Sequence, residues 1–244
     1  MNFRKILDSI IYWLTTGIYA VLVVLLIPVL VKSIFFDALG MICAYKLKWW
    51  MAGNFVGIIA GFLLYGLFSL TLFIPRVKHN LNWFMNFTHE LTHTLVSVCF
   101  FAKIREFVVK DRECYVSYKA GPIGYVPITL APYCIPIYTF MLFPFRFFGD
   151  SHYMVVFDIL IAFTYAFHIH SFIKQTSPTQ SDIEGCGFAR SAMFITFVHM
   201  CVLSVILATP KGGVANAVIR VFWKYPVEFL TKPQEWIASV MTYL

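Results

Sequence analysis

Charge is scarce in this chain. Only 13% of its 244 residues are Asp, Glu, Lys or Arg, while 60% are hydrophobic and the mean hydropathy is +0.76. A soluble domain carries about 25% charged and about 45–50% apolar residues. A water-soluble globule is therefore excluded, and an integral membrane protein embedded in a lipid bilayer is expected. No Cys-x-x-Cys pair occurs among the six cysteines at 43, 99, 114, 134, 186 and 201. Several lie in apolar runs, where Cys is an ordinary small buried residue, so neither a disulfide framework nor a Cys-ligated metal follows. A glycine-rich phosphate loop, a Gly-x-Ser-x-Gly nucleophile elbow, internal repeats and low-complexity tracts are also missing. The net charge of +7 is spread thinly, with no basic helix or aromatic-interleaved patch. That makes nucleic-acid binding the weaker reading, so no nucleic-acid partner is expected, and it fits contact with anionic headgroups.

What the chain has is long apolar runs. The expected architecture is all-α and polytopic, one domain over 1–244 with about six transmembrane helices. The run from about Ile10 to Val31 follows Arg4 and Lys5 and is too long for a cleaved signal. Residues 32–48 read as a mixed link, with Trp49 and Trp50 as interface anchors. The second span, about Met51 to Ile74, spaces Gly53, Gly57 and Gly61 by four. That stripe predicts close approach of another helix of the same chain. A third span, about Leu81 to Ala102, precedes the most charged stretch. There Ile104–Val109 and Cys114–Tyr118 flank a Lys-Asp-Arg-Glu tip and predict a β-hairpin. Pro127, Pro132, Pro136 and Pro144 in the next apolar segment predict a broken, partly re-entrant start over Ile123–Pro136, followed by a spanning helix. Further spans are expected at about Tyr153–Ile173 and Phe188–Ala208. An amphipathic tail, 210–244, is expected on the membrane surface.

The third span carries the chemistry. Asn86-Phe87-Thr88-His89-Glu90-Leu91-Thr92-His93 contains His-Glu-x-x-His. At this chain's own composition the pattern arises by chance roughly once in two hundred such sequences. On a helix, His89 and His93 lie one above the other and can offer two imidazole nitrogens to one zinc ion. Glu90 can reach a zinc-bound water from the same side and act as the catalytic general base. Three ionisable groups within five residues of an apolar run mark function rather than packing. Asp182 sits before the last span, and two roles are open to it. It can complete a His, His, Asp site, or it can cap the following helix.

These residues resemble the site-2-protease class of intramembrane zinc metallopeptidases, in particular small bacterial members lacking a PDZ domain. The resemblance rests on His89-Glu90-Leu91-Thr92-His93 inside a span, a charged hairpin after it, Leu130-Ala131-Pro132-Tyr133, and Gln180-Ser181-Asp182-Ile183 before a late span. It covers about Leu81 to Ala208, which would be the catalytic core. It implies hydrolysis of peptide bonds in transmembrane protein or peptide substrates, and location in a bacterial inner membrane. The family's third zinc ligand, an Asp near the start of a later helix, maps onto Asp182. Family members carry Asn-Pro-Asp-Gly or Leu-Asp-Gly there, whereas this chain has Ser-Asp-Ile-Glu-Gly. His168 competes for the role, but it is held deep in the fifth span. Asp182 follows Pro178, where the backbone can fold inward, and an ionised Asp in an apolar cavity calls for a cation. Asp182 is therefore expected to bind the metal, with His168 at most supporting it. The same His pair would also serve a non-proteolytic membrane metal-binding or transport protein, although Asp158, His168 and His199 are thin support for a transport path. A structural membrane protein with a coincidental motif is the third reading.

Overall fold

The computed structural model describes residues 3–40, 53–110, 114–148 and 153–242. The first apolar run forms α1, Phe3–Lys32, which continues as a π-helical turn over Ser33–Leu39. The beginning of the expected link is thus helical; Lys46, Lys48, Trp49 and Trp50 lie outside the described residues. Next come α2, Gly53–Leu70, and α3, Pro75–Cys99, the helix that carries the His-Glu motif. Pro75 sits in the first turn of α3, where a missing N–H costs nothing. The hairpin pairs β1, Lys103–Val109, with β2, Cys114–Lys119, and sets Phe107 opposite Val116 and Ile104 opposite Tyr118. Residues 111–113 of its charged tip lie outside the described residues.

The proline-rich segment forms two helices, α4 over Pro122–Cys134 and α5 over Ile137–Phe148, bent by 83°. Pro136 stands in the break and can donate no hydrogen bond across it. The 12 residues of α5 reach about 18 Å, well short of the ~30 Å hydrocarbon core. The second half therefore reaches across only together with α4. Then follow α6, Met154–Gln175, a short α7, Ser181–Cys186, and α8, Phe188–Ala208. The tail folds into α9, Gly213–Ile219, α10, Tyr225–Thr231, and α11, Pro233–Met241.

Among the described residues four helices are long and apolar enough to cross a membrane, α1, α2, α6 and α8, and five segments qualify if the bent α4–α5 pair is one span. This is an all-α fold of the membrane type, with one two-stranded sheet among the described residues. The motif helix α3 is not among the four. Arg76, Lys78, His79, Asn80, Asn82 and Asn86 make its first half polar, and the His-Glu motif follows directly.

Helix α8 occupies the middle of the bundle. Its Val205 and Ala208 pack with Leu26 and Val29 of α1, and its Val202 and Ile206 pack with Ile58 of α2 and Ile161 of α6. The tail folds back onto this core. Ala217, Val221 and Tyr225 are buried in the same cluster, and the Tyr225 hydroxyl donates to Asp37 at 2.7 Å. Arg220 pairs with Asp37, and Lys32 pairs with Glu228. Phe222, Trp223 and Leu230 remain exposed on the outer side.

The glycine stripe brings α2 against α6. A Cβ at Gly61 would lie 2.3 Å from the Ile159 carbonyl oxygen, and one at Gly57 would lie 2.8 Å from that of Val155. Gly66 faces open space, with nothing within 4 Å. Gly61→Ala should therefore destabilise the fold by about 1–3 kcal/mol, the usual cost of overpacking. Gly66→Ala should be neutral or slightly stabilising, since Ala favours helix over Gly. Thermal unfolding of both variants in one detergent checks this, and equal midpoints would contradict the tight α2–α6 contact.

Candidate metal centre

Helix α3 presents His89 and His93 on one buried face, one turn apart, with ring centroids 4.9 Å apart. Packing fixes that face. Val96 of α3 meets Ile128 and Ala131 of α4. On its other side α4 holds α7, because Leu130, Tyr133 and Cys134 pack with Ile183 and Cys186. Helix α4 is thus a wedge between the two elements that carry the charged groups. Asp182, in the first turn of α7, is delivered to the α3 face by that wedge.

The result is a convergence of three side chains. One carboxylate oxygen of Asp182, Oδ2, lies 3.5 Å from Nε2 of His89 and 3.5 Å from Nε2 of His93. These are long for hydrogen bonds. They match the separation of about 3.3–3.4 Å between donors bound tetrahedrally at ~2.0–2.1 Å to one ion. Among the described residues this trio is the one group of three or more His, Cys, Asp or Glu donors disposed to hold a metal ion. The orientation of His93 also fits. Its Nδ1 lies 2.8 Å from the Ile128 carbonyl oxygen, which can only accept. Nδ1 therefore carries the proton in neutral His93, and Nε2 keeps a free lone pair toward Asp182. Burial raises the Asp182 carboxyl, and the two facing imidazoles outweigh it, holding it below the usual carboxylate range, to the extent that they carry a proton toward it. With lone pairs turned to it instead, an ionised Asp182 needs a cation between the three donors.

The alternative role for Asp182 does not hold. The residue capping α8 is Gly187, at φ +82°, and Asp182 makes no cap to that helix. His168 stands apart from the trio. It packs beside Tyr165 and His199, with its ring 5.4 Å from that of His199. His170 points elsewhere and bonds the Tyr65 hydroxyl at 2.7 Å, a packing role.

Glu90 points into a cavity of about 410 Å³ that His89, Asn86, Lys174, Gln175 and Gln180 also line. The β2 strand closes one side, where the Val116 backbone reaches the Glu90 carboxyl. A larger cavity of about 520 Å³ lies between α2, α3, α5 and α6, but Phe68, Leu81, Phe84 and Phe167 make it apolar and it contains none of the trio. Two contributors were not singled out as site residues in the sequence. The Tyr133 hydroxyl donates to Oδ2 of Asp182 at 3.1 Å, and its ring stands edge-on to His89. Tyr118 of β2 flanks the His93 ring and bonds Thr129 at 2.9 Å. Tyr133 figures in the sequence only as part of the Leu130–Tyr133 segment, without a role, and nothing in the letters around Tyr118 marks it. No family profile, curated protein or solved structure matches the chain.

Metal binding by this trio sets an expected outcome. Purified protein should take up one equivalent of a divalent transition metal. His89→Ala and Asp182→Ala should each weaken binding by more than the ~10–100-fold lost with a supporting partner, and His168→Ala should leave it intact. Metal retained by Asp182→Ala and lost by His168→Ala, measured by elemental analysis after dialysis, would reverse the assignment of the third ligand.

Proposed function

We propose that this chain is a zinc metallopeptidase resembling the site-2-protease class, hydrolysing peptide bonds of membrane-embedded protein substrates. One observation carries the reading. Two imidazoles and a carboxylate converge on one point, and the carboxylate of Glu90 shares a cleft with His89. Zinc is the ion whose preferred donors and open fourth position suit such a set. When bound it would make water acidic enough to serve as a nucleophile near neutral pH and polarise a carbonyl.

The chain's own residues supply the rest. His89, His93 and Asp182 would hold the ion, and their combined charge of −1 leaves it electrophilic. Glu90, one residue beyond His89, takes the proton of the attacking water and passes it to the leaving amine. Asn86, Gln175 and Gln180 line the cleft with amide groups, suited to an extended peptide whose own backbone groups are unpaired. The length and apolar character of α1, α2, α6 and α8 support a membrane setting for this chemistry. In this reading α3 crosses as a sixth span, with its polar half turned toward α6, where Asn82 bonds Lys174 and Asn86 bonds Gln175. The membrane would be a bacterial inner membrane, as the resemblance implies.

Glu90→Gln tests the reaction directly. Gln keeps the shape but accepts no proton, so the variant should retain zinc and lose cleavage of a membrane-protein substrate by at least ~10²–10⁴-fold. Near wild-type cleavage by Glu90→Gln would sink the peptidase mechanism. Full zinc binding with no peptidase activity in wild type would leave a metal-binding or transport protein.

A further inference from the structure

We infer that Pro132 and Tyr133 are positioning residues of the metal centre, Pro132 acting on His93 through a backbone carbonyl and Tyr133 acting on Asp182 through its hydroxyl. This role presupposes the metal centre proposed above. Pro132 lies inside α4. In an unbroken helix the carbonyl of Ile128 would accept the N–H of residue 132, four positions on. Proline has none, and its ring pushes that carbonyl away from the helix axis. Ile128 is fully buried, so water cannot satisfy the freed oxygen. The group that does is Nδ1 of His93, at 2.8 Å. A helix defect and a ligand that needs orienting thus satisfy each other. The bond fixes the ring and the tautomer of His93 and aims Nε2 at Asp182. Supporting partners of this kind hold histidine ligands in metal sites generally.

The next residue serves the other side of the centre. Tyr133 is fully buried, and its hydroxyl donates to the same carboxylate oxygen that faces both imidazoles. Its own carbonyl falls at the break between α4 and α5 and accepts Nε2 of His199 at 2.9 Å. Tyr133 is therefore held at its backbone by α8 while its hydroxyl holds Asp182. Pro127, the other proline inside α4, provides a control. The carbonyl it frees belongs to Ile123, which is 85% exposed.

The experiment uses the full-length protein in detergent and two readouts. The first is metal-free. At mildly alkaline pH, side-chain ¹⁵N spectra should show His93 as the Nδ1–H tautomer in wild type and in Pro127→Ala. Pro132→Ala returns an N–H to the helix, and the Nε2–H form should then appear. The second is affinity for Co²⁺ by chelator competition, with its visible spectrum. Pro132→Ala and Tyr133→Phe should each weaken binding by ~10–100-fold and shift the spectrum, while Pro127→Ala should stay within about twofold of wild type. An Nε2–H tautomer in wild type would overturn the inference whether or not the variants fold. Equal losses in Pro132→Ala and Pro127→Ala would overturn it too, since they would report helix damage alone. Wild type that shows the Nδ1–H tautomer yet binds no Co²⁺ or Zn²⁺ would defeat the metal centre itself while leaving the His93 bond standing.

Discussion

Asp182 carries its charge into a place where, among the described residues, the only basic groups within ion-pair distance are His89 and His93. Neutral imidazoles offer lone pairs, not positive charge, and Glu90 is a second carboxylate near enough to repel Asp182. An ionised carboxylate withdrawn from water is costly unless a cation or several hydrogen bonds meet it. Tyr133 supplies one such bond. A bound divalent ion would satisfy all three donors at once, and the spacing of Oδ2 from both Nε2 atoms suits that better than it suits direct hydrogen bonds. The rest of the fold can be understood as the means of holding these atoms together.

Helix α4 does most of that holding. It touches α3 through Ile128 and Ala131 and α7 through Leu130, Tyr133 and Cys134. Two opposite requirements meet in it. A rigid wedge needs helix, whereas oriented donors and acceptors in a dry interior need backbone groups that the helix does not use. Prolines reconcile them by removing particular N–H groups and leaving the surrounding turns intact. A freed backbone group in such an interior must find a protein partner, and α4 is buried along most of its length.

Much of this was legible in the sequence, for definite reasons. The last span, Phe188–Ala208, and the hairpin strands came out at nearly the expected bounds, because a sharp change from polar to apolar residues marks each one. Gly57 and Gly61 met another helix of the chain as their spacing of four implied, whereas Gly66, off the stripe, met nothing. Other features were hidden. Ser33–Leu39 read as part of a mixed link, yet it is helical and its Asp37 is met by Tyr225 and Arg220 from nearly two hundred residues away. The two roles of Asp182 were chemically equal on the page of letters. Tertiary packing separated them, with Gly187 in a left-handed conformation taking the capping position. A backbone carbonyl such as that of Ile128 belongs to every residue, so only the proline four positions later hints that this one is free.

X-ray absorption at the zinc edge of the zinc-loaded, full-length protein tests the central claim most directly. Two imidazoles and one carboxylate predict a first shell of nitrogen and oxygen only, at ~2.0–2.1 Å, with the outer scattering of two histidine rings. A sulfur shell near ~2.3 Å, or scattering from a single imidazole, would contradict a centre built from His89, His93 and Asp182.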